Sequence, residues 1–306
     1  MSQTTSRTTP YGDPQDAGPA ATRAAAPPPD EAKRRVGKIV GYVLLTLFAL
    51  VYLFPFVIQV GTSFKTDPDA TNSPLNPIPS AFTTQAYQQL FQQDFGLWFT
   101  NSVIVAVVVT AGRVFFDSLA GYALARLRFR GRQAISLGII ATMAVPGVVL
   151  LIPKFLIIKQ LGIYDTYAGM IVPLLADAAG VFIMKQFFET IPVSLEEAAK
   201  LDGAGIFRTF WSVVLPVARP ALITITILSF QSSWNELPHF LVSRQSPDLN
   251  TLTTGVAGLL TGALGAGNRY PLKLAAAVLM TIPVAVLFFV FQKRIIGGSL
   301  EGAVKE

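Results

Sequence analysis

Three groups of residues have types and spacings that could do chemistry. The first is charged and lies inside apolar runs: Arg113 and Asp117, four apart, and Asp177 in a later run. A charge near the bilayer centre costs at least roughly 2.5–3.5 kcal/mol, so such groups must pair or face a protein interior. At a spacing of four, Arg113 and Asp117 share one helix face. They can line a polar solute path, or form an ion pair that fixes helix register, with Asp177 as a further partner for Arg113. The second group is Trp234-Asn235-Glu236. An aromatic ring beside an amide and a carboxylate suits a sugar, whose apolar face packs on the ring and whose hydroxyls take the polar groups. The same Trp also fits an interfacial aromatic belt. Asn101, like Ser63 and Lys65, stands at an outer helix end, placed for a solute path or a partner. The third group is Glu196 to Pro216, EEAAKLDGAGIFRTFWSVVLP, a polar stretch set between apolar runs. Enzyme chemistry has little to work with. The chain has no Cys and one His, His239, which excludes thiol catalysis and Cys-ligated metal and leaves neither a His cluster nor a Ser-His-Asp triad to expect. No metal site is expected. Neither G-x-x-x-x-G-K-S/T nor G-x-G-x-x-G occurs, so the chain has no nucleotide cradle of its own.

The elements that must position these groups are membrane helices. Of 306 residues, 52% are hydrophobic and 14% charged, against about a quarter charged in soluble domains. A spanning helix needs about 20 mostly apolar residues. Six segments qualify: Val36–Ser63, Leu97–Ala125, Ala134–Ile158, Ala168–Phe187, Val213–Ser233 and Leu272–Phe291. Each is apolar all round. Pro55, Pro146, Pro153, Pro173 and Pro283 interrupt them, as kinks or as breaks beside a cavity. The first 35 residues are rich in Thr, Ala and Pro, and a disordered tail is expected there; the apolar run after it is too long for a cleaved signal. The domain reading is a tail over 1–35, a six-helix membrane body over 36–296 with a polar loop at 192–216, and a second tail over 297–306.

Basic residues set the orientation. With the N-terminus inside, 17 Lys and Arg fall in inner segments and 6 in outer ones, Arg113 lying within a span. By the positive-inside rule both termini and the Glu196 loop are expected in the cytoplasm. The net charge of +6 is then explained without nucleic acid. The outer segments Asp67–Phe95 and Ser243–Tyr270 are rich in turn-forming residues and are expected as exposed loops open to an outside partner.

The inner loop reads as a helix–turn–helix elbow. Pro192 ends the fourth span. Ser194 and Glu197 fit a capping box, with Glu196 and Glu197 in the first turn of a short helix to Leu201, where the dipole favours carboxylates. Asp202-Gly203-Ala204-Gly205 is turn material, and a second helix runs from Ile206 to Leu215. Small Ala198 and Ala199 allow a partner to come close. The expected object is a rigid knob that fits a groove on a soluble protein.

This loop resembles the "EAA" motif of the permease subunits of binding-protein-dependent ABC importers: Glu-Ala-Ala, three residues, Gly, nine residues, Ile, one residue, Leu-Pro. Here Glu197-Ala198-Ala199 precede Gly203, and Val213 stands for Ile before Leu215-Pro216. Asn101-Ser102, GYALARLRFRGR (Gly121–Arg132), VPGVVLLIPKF (Val145–Phe155), Trp234-Asn235-Glu236 and the ending FQKRIIGGSLEGAVKE are similar to the sugar-importer branch, and the last to the second permease of maltose-type systems. The family tail usually ends in Gly; this one ends in Glu306.

The resemblance implies an all-α polytopic permease of the type I importer fold, in the cell membrane, working by alternating access. It implies a paralogous permease as heterodimer partner, an ATPase dimer gripping the elbow, an extracytoplasmic solute-binding protein at the outer loops, and a sugar, best a di- or oligosaccharide. ATP and Mg would belong to the ATPase. Glu196, Glu197, Ala198, Ala199, Asp202, Gly203, Ala204, Leu215 and Pro216 would form the coupling loop. Gly302, Ala303, Val304 and Lys305 would reach toward the ATPase. Two other classes stay open: an ion-driven secondary transporter with Arg113, Asp117 and Asp177 as relay, separated by ATP dependence, and a scaffold whose elbow recruits a soluble protein, separated by solute flux.

Overall fold

The computed structural model describes residues 31–260 and 269–303 of the chain. Chain contacts divide it into two units, one ending at Phe54 and one beginning at Pro55. Helix α1 (Glu31–Ser63) starts in the first and ends in the second, with Pro55 inside an unbroken helix. In the first unit the side chains of Val36 to Phe54 are exposed, Tyr42 and Tyr52 by more than 70%. Such a surface is a lipid-facing one; water would not tolerate so large an apolar area.

The second unit is built around α4 (Phe95–Arg126). Before it come α2 (Asp67–Asn72) and α3 (Gln85–Gln92). After it come α5 (Arg132–Met143), α6 (Leu151–Gln160), α7 (Tyr167–Ile171), α8 (Ala178–Thr190), α9 (Val193–Leu201), α10 (Ile206–Thr209), α11 (Leu215–Val217), α12 (Arg219–Trp234), α13 (Pro238–Ser243), α14 (Leu252–Leu260) and α15 (Tyr270–Ala303). Short 3-10 turns and one π segment lie between them.

Three apolar clusters sit along α4. At its start Trp98 and Ala106 pack with Leu90, Trp234, Leu252 and Leu272. In the middle Val105 and Val109 meet Met170, Leu174 and Phe240. At its end Tyr122 and Ala125 pack with Met184, Phe188, Phe210 and Val214. Apolar attraction between helices is weak in lipid, so close packing must do the work, and small residues permit it. Gly121 and Gly180 hold α4 against α8. A Cβ on Gly121 would lie 2.7 Å from Met184, and one on Gly180 would lie 2.0 Å from Asp117.

Among the described residues, four helices are long and apolar enough to cross a membrane, or up to six if each bent pair is one span. Both bent pairs alter the sequence expectation. The third span is not one helix over Ala134–Ile158: α5 and the Gly147–Gln160 segment meet at 103°. Pro146 stands at that break with extended backbone and cannot supply the N–H that would continue α5. The fifth span does not begin at Val213. Residues Val213–Val217 belong to the elbow, and α12 starts at Arg219 after an 81° bend at Ala218. Pro216 and Pro220 flank that bend. The fourth span, Tyr167–Thr190, carries a break at residues 175–177 next to Pro173.

The outer segments also differ from simple loops. In Asp67–Phe95, α2 and α3 fold back with Ala70, Ala86 and Leu90 buried. In Ser243–Tyr270, residues Thr251 to Val256 are all buried, and α14 packs on α4 and α15. Its Gly-rich composition masked a buried helix: Gly255 lies where a Cβ would be 2.2 Å from the Trp98 ring.

Candidate functional site

The elbow is assembled from its caps upward. Helix α9 begins after Pro192, which is the N-cap and has no side-chain cap bond. The expected Ser194–Glu197 capping box is therefore not formed. Ser194 is already the second helical residue, whereas a capping serine needs extended backbone. The other end of α9 is a Schellman motif. The Gly203 N–H donates to the Lys200 carbonyl at 3.0 Å and the Ala204 N–H to the Ala199 carbonyl at 2.9 Å. Gly203 has φ +79°, the left-handed conformation this cap requires and side chains resist. After Gly205 the chain enters α10, then a π segment, Phe210–Val214, then α11 with Leu215 half-buried and Pro216 exposed.

The two glutamates face opposite ways. Glu197 and Ala198 are exposed, with Lys200, Asp202 and Gly203. Leu201 is 90% exposed and Phe207 74%. A cleft of about 340 Å³ runs between Ala198, Ala199, Asp202, Ala204 and Arg208. Polar, small and large apolar residues on one exposed face make a surface fit for protein docking. Glu196 instead points inward and is 5% exposed. Its Oε1 lies 3.0 Å from Arg126 Nε, and Tyr122 Oη donates to its Oε2 at 3.3 Å. Glu196 stands in the first turn of α9, as expected, while Glu197 falls outside it; helix periodicity puts Glu196 and Ala199 on one side, and that side is buried. Sequence reasoning missed Arg126 as a site residue. The available signal was that period, three residues from a buried Ala, together with an Arg closing a span.

The intramembrane charges are brought together, but not as an ion pair. Arg113 Nε donates to the Leu174 carbonyl at 2.8 Å, and Asp117 Oδ1 accepts from the Asp177 N–H at 3.0 Å. Among the described residues no carboxylate lies within ion-pair distance of Arg113. Asp177 caps α8 through the Gly180 N–H at 3.2 Å, so it is committed to its own helix and does not partner Arg113. Arg113 and Asp117 thus satisfy the backbone groups that the break in the fourth span leaves open. Broken helices persist in lipid only when such groups find partners within the protein.

The outer residues are tethers in this conformation. Asn101 is fully buried. Its Nδ2 donates to the Asp248 and Asn250 carbonyls, both at 2.7 Å, and its Oδ1 accepts from Tyr167 Oη at 2.5 Å. Trp234 is 2% exposed; Phe230 stacks on it and Phe99 meets it edge-on, while its Nε1 donates to the Met280 carbonyl. No ring face is left for a sugar. Asn235 is exposed; Glu236 Oε1 accepts from the His239 N–H at 2.9 Å. Burial holds the His239 imidazole below its ordinary pKa. Asp165, with φ +58°, accepts from the Ser246 hydroxyl and from the Gln245 and Ser246 amides, which hold its carboxyl below the usual range. Ser63 and Lys65 are buried too, Lys65 Nζ donating to the Ser73 carbonyl at 2.7 Å. Of the tail residues, Gly302 and Ala303 end α15; Val304 and Lys305 lie outside the described residues, as does most of the 1–35 tail.

Comparison with known proteins agrees with this architecture. Residues 118–297 match the family described as "Binding-protein-dependent transport system inner membrane component". The chain is 33% identical to the polygalacturonan/rhamnogalacturonan transport system permease protein YtcP of Bacillus subtilis, covering 89% of this chain and 99% of that one. It is 32% identical to the trehalose/maltose transport system permease protein MalG of Thermococcus litoralis, over 90% and 99%. A solved bacterial ABC transporter involved in the import of the acidic polysaccharide alginate is similar at 29% identity and TM-score 0.75, over 88% of this chain and 99% of that one. The matched stretch takes in the end of α4, both bent pairs and the elbow, and it makes this chain a multi-pass membrane protein that belongs to the binding-protein-dependent transport system inner membrane components.

Proposed function

We propose that this chain is a translocating subunit of a carbohydrate ABC importer, of the same kind as the second permease of a maltose-type system. A sugar, best a di- or oligosaccharide, crosses the cell membrane by alternating access. The chain pairs with a paralogous permease. A separate ATPase dimer binds ATP and Mg and grips the elbow through Glu197, Ala198, Asp202 and Gly203. A solute-binding protein delivers sugar to the outer face. Both termini and the elbow lie in the cytoplasm, and residues 302–305 reach toward the ATPase.

The observation that carries this reading is the elbow itself: a short helix closed by a Schellman cap and followed by α10, with Leu201 of the first and Phe207 of the second exposed. The absence of a nucleotide-binding motif from the sequence supports assigning hydrolysis to another subunit. Coupling requires that the two transport states differ in contacts at the elbow. The test is uptake of labelled maltose, trehalose and pectic oligosaccharides into vesicles holding the assembled transporter. Import that needs ATP and the binding protein is expected. Import driven by an ion gradient alone would overturn the reading in favour of a secondary transporter.

A further inference from the structure

Glu196 is a carboxylate on the elbow helix, yet it is buried at the end of a membrane span. Its side chain is 6% exposed and that of Arg126 is 9%. A buried charge is tolerated only when it is paired and hydrogen-bonded, so the surroundings of Glu196 must be built for it. They are. Arg126 Nε lies 3.0 Å from Glu196 Oε1, an ionic contact in which the N–H is not aligned as a linear hydrogen bond. Tyr122, one turn earlier on α4, donates its hydroxyl to Glu196 Oε2. Arg126 Nη2 donates to the Phe188 carbonyl at 2.5 Å and to the Ile191 carbonyl. Those carbonyls lie at the end of α8, where helix geometry leaves C=O groups without partners. The Tyr122 ring packs edge-on against Phe188 at 5.8 Å and tilted against Phe210 at 5.0 Å. Two side chains of α4 thus gather the end of α8, the start of α9 and the π segment around one buried carboxylate.

We infer that Arg126, Tyr122 and Glu196 are positioning residues that lock the elbow helix α9 to the end of α4, so that a push on the exposed face of α9 moves α4 with it. The inference rests on the transport reading above. Its physical basis is that α9 cannot swing away from α4 without leaving either a carboxylate or a guanidinium unpaired in an apolar cluster. Exposed Glu197, next in sequence, carries no such constraint. The lock also sets where the elbow can yield: beyond the π segment, at the 81° bend of Ala218.

The chain has no Cys of its own to compete for label. Spin labels at Arg128→Cys and Lys200→Cys, both exposed positions, report the distance from the end of α4 to α9. The assembled transporter is measured in nanodiscs without nucleotide and with ATP and vanadate. In the parent, one narrow distance is expected in both states. Glu196→Gln is expected roughly to double the width of that distribution in the ATP state, since the buried charge pair is gone. Tyr122→Phe keeps the ring packing and is the second variant, expected to broaden the distribution less. A parent distance that shifts by about one helical turn, ~5 Å, between states would overturn the lock. Unchanged widths in both variants would overturn it as well. Either result in an assembly that hydrolyses ATP counts against the lock alone; a parent assembly that hydrolyses none counts against the transport reading itself.

Discussion

Arg113 and Asp117 hold a helix break together, and that gives them a measurable signature. Replacing Arg113 by Met strands the Leu174 carbonyl in an apolar environment, at a cost of about 1–3 kcal/mol. A lower unfolding midpoint in detergent and lower membrane abundance are expected. Asp117→Asn keeps an acceptor for the Asp177 N–H and is expected to stay near the parent in abundance, whereas Asp117→Leu is not. Parent-like stability of Arg113→Met would contradict the clamp. The residue types and their spacing of four were legible in the sequence, as was their turn toward the interior. The partners were not, because a backbone carbonyl left open by a helix break far along the chain carries no mark of its own in the sequence. Asp165 makes a prediction about pH. Its folded carboxyl is held below its ordinary value, so its contribution is present above the ordinary pKa near 4. It is lost as pH falls through the lowered folded value. Protease cleavage within 243–250 is expected to rise in acid, and Asp165→Asn to remove that acid dependence.

At the scale of elements, the elbow depends on a cap and an exposed face. Gly203→Val places a β-branched residue at φ +79°, costing roughly 1–2 kcal/mol or more and unravelling the end of α9. Insertion is expected to remain normal while ATP-driven uptake falls severalfold; unchanged uptake would show that the cap is dispensable. Leu201→Asp removes an apolar contact from a side chain that is 90% exposed. The amount of ATPase co-purifying with the chain is expected to fall, at constant membrane abundance. Helix α9 and its glycine turn were readable because turn chemistry is local. Its N-terminus was not, since Ser194 and Glu197 have the capping-box spacing but Pro192 sets the backbone earlier. The burial of Glu196 depends on Arg126, distant in sequence, and short-range rules cannot see that.

For the molecule as a whole, apolar run length was the reliable signal. Four spans appear as uninterrupted or nearly uninterrupted helices, while the two sharply bent pairs each sit beside a proline whose effect, kink or break, only tertiary packing decides. The buried α14 was hidden because its glycines look like loop composition, although Gly255 serves close approach to Trp98. These parts bear on the proposal made above: a permease subunit driven by a separate motor through its exposed elbow. The most direct measurement places a photo-crosslinking residue at Leu201 in intact cells and identifies what it captures by mass spectrometry. The account predicts a subunit carrying G-x-x-x-x-G-K-S/T, captured at Leu201 and not at the lipid-facing Leu45. Capture of lipid alone, or of no nucleotide-hydrolysing protein, would contradict it.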